Sequence, residues 1–188
     1  MALKFYFGAI MTEKTTTTTK KPRKKNIKPP EGAHKIVFPE NVVMEHQWCY
    51  NGETLLEIPE NVIGFVYCIT NRLSGKKYIG KKNFFTTKIR SIKKQKYRER
   101  VQSDFITYYG SNDALNEDVI KYGPENFHRE ILLLCDTAGS MSYFEAKYQM
   151  FYDVIGSDLW YNSWISVRIT EKHLKPHHFE HKIRTDLI

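Results

Sequence analysis

The sequence has no apolar run approaching the roughly 18–20 residues that cross a bilayer as a helix, so it does not read as a transmembrane-helix protein. It has only three cysteines, Cys49, Cys68 and Cys135, an odd and widely spaced set. That argues against a disulfide scaffold and against a zinc site, and it points to a reducing, cytoplasmic setting. No helix-turn-helix or zinc-finger signature is visible. The apolar opening Met1–Ile10 resembles a weak secretory leader, but its apolar core is too short and no clean small-residue cleavage site follows. Apolar residues are not scarce: at 41%, with 14% aromatics, they suffice for a packed core and exclude wholesale disorder.

Charge is unevenly spread. The net charge is +8 over 188 residues. Residues 1–34 carry eight Lys/Arg against two acids, and residues 76–100 carry eleven against one. The remainder is acidic on balance. Such blocks bind a polyanion or form solvated faces, and nucleic acid is the favoured partner.

Four regions are expected. Residues 1–34, with a threonine run, a Lys/Arg cluster and Pro29-Pro30, read as a disordered basic arm. Residues 35–61 read as a small β appendage with a hairpin turn at Asn51-Gly52. Residues 62–169 form the main domain, and residues 170–188 a polar, solvated tail with four histidines. Metal binding by that histidine cluster is the weaker alternative. Within the main domain, Ile63–Thr70 and Lys77–Ile79 read as an antiparallel hairpin, with the second strand ending at Gly80. Thr86–Val101 contains neither proline nor glycine and is expected to be a polar helix. Ser111 or Asn112 caps a helix running to Tyr122, with Gly123 as its stop. Asn126–Cys135 reads as a third strand. Ser142 is expected to open a last helix whose apolar face is Phe144, Tyr148, Phe151 and Ile155, ended by Gly156. The fold class is α+β, a three-stranded antiparallel sheet flanked by helices.

Gly64-Phe65-Val66-Tyr67, then Tyr78-Ile79-Gly80, resembles the GIY-YIG nuclease core. The ordered set continues with Lys81, Arg90, Lys121-Tyr122-Gly123, Asn126-Phe127, Glu145 in Tyr143–Tyr148, and Asn162 after Tyr161. It spans roughly residues 62–165. The first motif departs from the consensus at Phe65-Val66. A histidine found near Tyr108–Ser111 in some members is absent, leaving Tyr108 or Tyr109 to replace it.

The resemblance implies a phage-type, stand-alone DNA endonuclease, homing-like or degrading foreign DNA, that hydrolyses phosphodiesters in double-stranded DNA with Mg2+, which Mn2+ can replace. Glu145 is the implied metal ligand, and a single carboxylate plus waters suits magnesium. The competing reading is structural, because Ser142-x-x-Glu145 also has the form of a capping box. Tyr67 is implied to accept the proton from water, directly or by relay, with Tyr78 orienting. Nearby Lys81, Arg90 and the metal are expected to favour phenolate. Arg90 clamps the phosphate, with Arg98 and Arg100 as rivals. Lys81 offsets charge near the tyrosines, with Lys82 as its rival, and Asn162 completes the catalytic set.

About 20 extra residues lie between Tyr78 and the central helix. Lys82, Lys88, Arg90, Lys93, Lys94, Lys96, Arg98 and Arg100 are the candidate DNA contacts. About six neutralised phosphates give a log–log salt slope of about −5. Phe84, Phe85 and Tyr97 serve base stacking or the core. A DNA-binding module that kept the fold without catalysis is the functional alternative. A third possibility is an interaction protein whose arm binds an acidic partner.

Overall fold

The computed structural model describes residues 32–92 and 95–187. The basic arm expected over residues 1–34 therefore lies almost wholly outside the described residues. The elements in order are β1 (His34–Lys35), β2 (Cys49–Tyr50), β3 (Glu53–Thr54), β4 (Glu57–Ile58), β5 (Gly64–Asn71), β6 (Lys77–Asn83), β7 (Phe85–Ile92), β8 (Gln95–Gln102), α1 (Asp113–Tyr122), β9 (Phe127–Cys135) and α2 (Ala138–Phe151).

The main sheet has the strand order β3-β2-β9-β5-β6. Its heart is the expected antiparallel trio β9-β5-β6. The hairpin β2–β3 turns at Asn51 and Gly52, both with positive φ, as the Asn-Gly signal predicts. It extends the sheet through a parallel pairing of β2 with β9. Strand β5 is central and buried on both faces, which is why it reads as a continuous apolar run rather than an alternating one.

Two apolar layers follow from that. Phe65, Tyr67 and Ile69 point to one face, where they meet Trp48, Phe84, Phe105, Leu115 and Phe127. Val66 and Cys68 point to the other, with Ile79, Met141, Phe144 and Tyr148 from α2 and its surroundings. A buried arginine ties the first layer together. Arg129 is 1% exposed, and its guanidinium donates to the carbonyls of His46, Ile106 and Tyr108 at 2.6–3.1 Å. It also lies over the rings of Trp48 and Tyr109. Burial lowers its pKa to about 10, so it stays charged at neutral pH.

Several expectations are corrected. Thr86–Val101 is not a helix but the two antiparallel strands β7 and β8, paired from Phe85↔Gln102 to Ile92↔Gln95. Its β-branched residues Thr86, Thr87, Ile89 and Val101 favour strand, and no apolar stripe existed to hold a helix. Strand β6 continues through Gly80 to Asn83. Helix α2 starts at Ala138, capped by Thr137 with Ser140 in a reciprocal capping box. It stops at Phe151, so Phe151 and Ile155 are half exposed and the buried side chains include Met141, Phe144, Tyr148 and Gln149. Helix α1 has the expected Asn112 cap, which accepts from Leu115 N–H, and Gly123 at φ 85° ends it.

The tail after residue 169 is not simply solvated. His178 and Leu187 are buried, and His181 meets Phe144 edge-on at 4.9 Å and the Tyr148 hydroxyl at 3.2 Å. Arg184 pairs with Glu130 at 2.6 Å, and the Tyr152 hydroxyl donates to the Arg184 carbonyl.

Candidate active site

The site is built on the edge strand β6 and its neighbour β5. Tyr67 pairs with Gly80, and Ile69 with Tyr78, so the two tyrosines lie diagonally on one sheet face, ring centroids 6.2 Å apart. Gly80 is what makes this possible. A Cβ there would stand 2.5 Å from the Tyr67 hydroxyl, 2.7 Å from its ζ carbon and 2.9 Å from the Tyr78 ring. The pairing of β5 with β9 slips between Val66 and Tyr67, a bulge of the kind that re-aims a side chain beside a functional site.

Glu145 approaches from α2, with its side chain 16% exposed. Its carboxylate accepts from the Lys81 ammonium at 2.5 Å. Lys81 lies one residue on from Gly80, so the alternation of β6 sends it toward the α2 side of the sheet. The capping alternative for Glu145 is removed. The cap is Thr137 with Ser140, while Ser142 sits inside the helix, its hydroxyl donating to the Ala138 carbonyl.

Burial raises the Glu145 pKa above the ordinary carboxylate value, and Lys81 opposes the rise. Burial also pushes Tyr67 well above the ordinary phenol value, with further upward pressure from Tyr108, Tyr78 and the Glu145 charge. Tyr78 moves up for the same leading reason, against a hydrogen bond to Ser111 at 3.2 Å. The expected bias toward phenolate is thus reversed in the protein alone. Lys81 is engaged by Glu145 and Arg90 by Glu99, leaving burial and like charge to act on the phenols. These shifts also show that Tyr67, Tyr78 and Glu145 share one electrostatic neighbourhood.

Asn162 lies elsewhere in the architecture of the site. Its amide accepts from Ile79 N–H at 2.9 Å and donates to Ile79 C=O at 2.8 Å. Gln149, one helical turn beyond Glu145, donates to the same carbonyl at 2.9 Å. Together with the pairing of Lys77 to Trp160 and Tyr161, they close the outer edge of β6. Asn162 is therefore a positioning residue for the strand that carries Tyr78 and Lys81.

The basic residues separate. Lys82 pairs with Asp104 at 2.7 Å and stands 3.5 Å over the ring of Tyr108. Arg90 is on β7, 65% exposed and paired with Glu99 at 2.7 Å. Lys88 and Arg98 are exposed on the same ribbon, and Arg100 lies over Phe85 at 4.1 Å. Lys96 belongs to β8, opposite Ser91. Lys93 and Lys94 lie outside the described residues. The sequence offers Tyr108 only as a stand-in for histidine. Its ring meets that of Tyr67 edge-on, centroids 6.2 Å apart, and carries Lys82 on its face. Gln149 was missed, and its i+4 spacing from Glu145 was the available signal.

The donor chemistry fits a hard divalent cation at Glu145. A carboxylate has two oxygens and about four acceptor positions, so it can serve an ammonium and a cation together. The other candidate group, Asp136 with His177 and His178, has its ligand atoms within 4.8 Å of one another, but its wiring is different. Lys175 N–H donates to His178 Nδ1 at 2.9 Å. The tautomer this assigns places the proton on Nε2, which donates to Asp136 at 2.9 Å. A metal-bound histidine has the reverse arrangement, donating from its second nitrogen. Lys175 takes the other Asp136 oxygen at 2.5 Å. The cluster is a latch holding the C-terminal segment.

An edge hairpin with two facing tyrosines, crossed on the far sheet face by a helix bearing one glutamate, is a nuclease domain of the GIY-YIG class. Residues 48–165, more than half of the chain, match the family model described as "Putative endonuclease segE, GIY-YIG domain", and the chain belongs to this GIY-YIG nuclease family. Comparison with curated proteins and with solved structures gives no match.

Proposed function

We propose that this protein is a Mg2+-dependent endonuclease that hydrolyses phosphodiester bonds in double-stranded DNA. The observation that carries the reading is Glu145: a mostly buried carboxylate, relieved of capping, beside Lys81 and within electrostatic reach of both motif tyrosines. Bound at Glu145, a divalent cation supplies positive charge for the scissile phosphate and lowers the pKa of a bound water.

The chain's own groups do the rest. Lys81 holds the Glu145 carboxylate in place. Tyr67, with the Tyr108 ring edge-on against it, relays a proton at its hydroxyl once the negative charge of Glu145 is balanced. Tyr78, held by Ser111, orients the attacking water. Asn162 and Gln149 keep β6 from moving. Arg90 and its neighbours reach phosphates from the ribbon rather than from a helix. A phage-type, stand-alone role in the cytoplasm, homing-like or directed at foreign DNA, agrees with this reading.

Incubation of supercoiled plasmid with Mg2+ and with EDTA tests it. Nicking or linearisation that requires the cation supports the proposal. Binding without cleavage across several divalent ions and substrates supports the non-catalytic DNA-binding module instead.

A further inference from the structure

The ribbon β7–β8 is a two-stranded sheet separate from the main one; at its base Phe85 packs against the first apolar layer and meets the His34 ring at 5.5 Å, and beyond that its strands project. Phe85–Gln102 carries seven Lys/Arg against one acid, Glu99. A hairpin of this kind is marginal alone in water, and this one is fastened at its base. There the Gln102 side chain exchanges two hydrogen bonds with the Val37 backbone, and Arg100 covers Phe85.

The pairing register sorts the described side chains into two faces. Thr86, Lys88 and Arg90 share one with Val101, Glu99 and Tyr97; Phe85, Thr87 and Ile89 share the other with Gln102, Arg100 and Arg98. The acid lies on the first face, where it neutralises Arg90. The second is cationic without an acid, and it presents an apolar side chain, Ile89, 62% exposed, directly opposite Arg98.

We infer that the Ile89–Arg98 face of this ribbon enters the DNA major groove and reads base edges, making it the sequence-selecting element of the protein. Eight residues per strand span about 26 Å at 3.3 Å each. The major groove, about 12 Å wide, admits a two-stranded ribbon and distinguishes all four base pairs, whereas the minor groove, about 6 Å wide, separates little more than A·T from G·C. An exposed arginine beside an exposed aliphatic suits a guanine O6/N7 edge next to a thymine methyl. Lys88 and Arg90, on the other face, remain for backbone phosphates. The inference rests on duplex DNA being the substrate, but not on catalysis.

The test uses the full chain carrying Glu145→Ala, so that binding is measured without cleavage. Bound duplexes are selected from a randomised 30-base-pair library and sequenced, for this parent and for parent plus Ile89→Ser/Arg98→Ser. A further parent variant, Lys88→Ala, serves as the phosphate control. The expected result is a base preference that includes guanine in the parent and is flattened in the ribbon variant, with ten- to hundredfold weaker binding to the selected site and little change on unselected DNA. Replacing that guanine by 7-deazaguanine should weaken the parent equally, and Lys88→Ala should weaken all sequences alike. Unchanged selection by the ribbon variant, or an equal loss on every sequence, overturns the inference. A wild-type chain that selects sequence through the ribbon yet never cuts refutes the nuclease reading and leaves this one standing.

Discussion

Gly80→Ala tests the packing that brings the two motif tyrosines together. Gly80 has ordinary strand backbone, so alanine meets no φ penalty, and replacing glycine in a strand would by itself stabilise by about 0.5–1 kcal/mol. Space opposes this. The new methyl would stand 2.5 Å from the Tyr67 hydroxyl and 2.7 Å from its ζ carbon. Tyr67 is 1% exposed, with the rings of Trp48, Phe65, Tyr78 and Tyr108 at 5.0–6.2 Å, so it has nowhere to swing. Overpacking of that kind costs about 1–3 kcal/mol, more than the backbone gain, and a net loss of about 1–2 kcal/mol follows. For a chain of this size that lowers Tm by about 2–4 °C per kcal/mol.

The assay is urea unfolding followed by tryptophan fluorescence for Gly80→Ala, Tyr67→Phe and the double variant. Tyr67→Phe removes the nearest atom but not the ζ carbon. The double variant should therefore recover part of the loss, with a coupling of at least about 0.5 kcal/mol. A Gly80→Ala protein as stable as the parent, or a cycle with no coupling, would refute the argument that β6 carries glycine to admit the Tyr67 hydroxyl.

Arg129→Met should cost at least about 3 kcal/mol in the same unfolding assay, because one buried carbonyl (Ile106) and two partly buried ones (His46 and Tyr108) lose their donor at about 1–3 kcal/mol each. A loss under about 1 kcal/mol would show that the guanidinium is not what holds those segments. The latch on the C-terminal segment should fail in acid. Despite burial, Lys175 and His178 hold Asp136 at about 2. A depressed carboxylate contributes stability that is full above its ordinary pKa near 4 and is lost as pH falls toward about 2. Pepsin should accordingly cleave within residues 170–188 increasingly over that window, and Asp136→Asn should be cleaved at pH 4 without a further step. Equal protection of parent and variant throughout would contradict the latch.

The family was legible because local spacing carries its motifs: two tyrosine strands, a glutamate helix and Asn162 stand in an order that few folds share. Strand β5 was legible from its continuous apolar run, and α1 from Asn112 and Gly123 at its ends. The ribbon was not. The sequence between β7 and β8 has no glycine or asparagine of the kind that marks a tight hairpin, and with mostly polar residues neither a period of 2 nor of 3.6 stands out. The start of α2 was obscured by Gly139 in its first turn, and the shifted start is what changed Glu145 from a possible cap into a site residue. The roles of Trp48, Arg129 and the segment holding His178 and Leu187 depend on partners distant in sequence. No local pattern reports such contacts.

The central claim is that Glu145 holds the cation that cleavage requires. Single-turnover cleavage of plasmid DNA in Mg2+ by Glu145→Gln, with duplex binding measured by fluorescence anisotropy on the same preparation, tests it most directly. The expected result is cleavage at least about a hundredfold slower with binding unchanged, since the amide keeps the shape but loses the charge that holds the cation. Cleavage by Glu145→Gln at the parent rate would contradict the account.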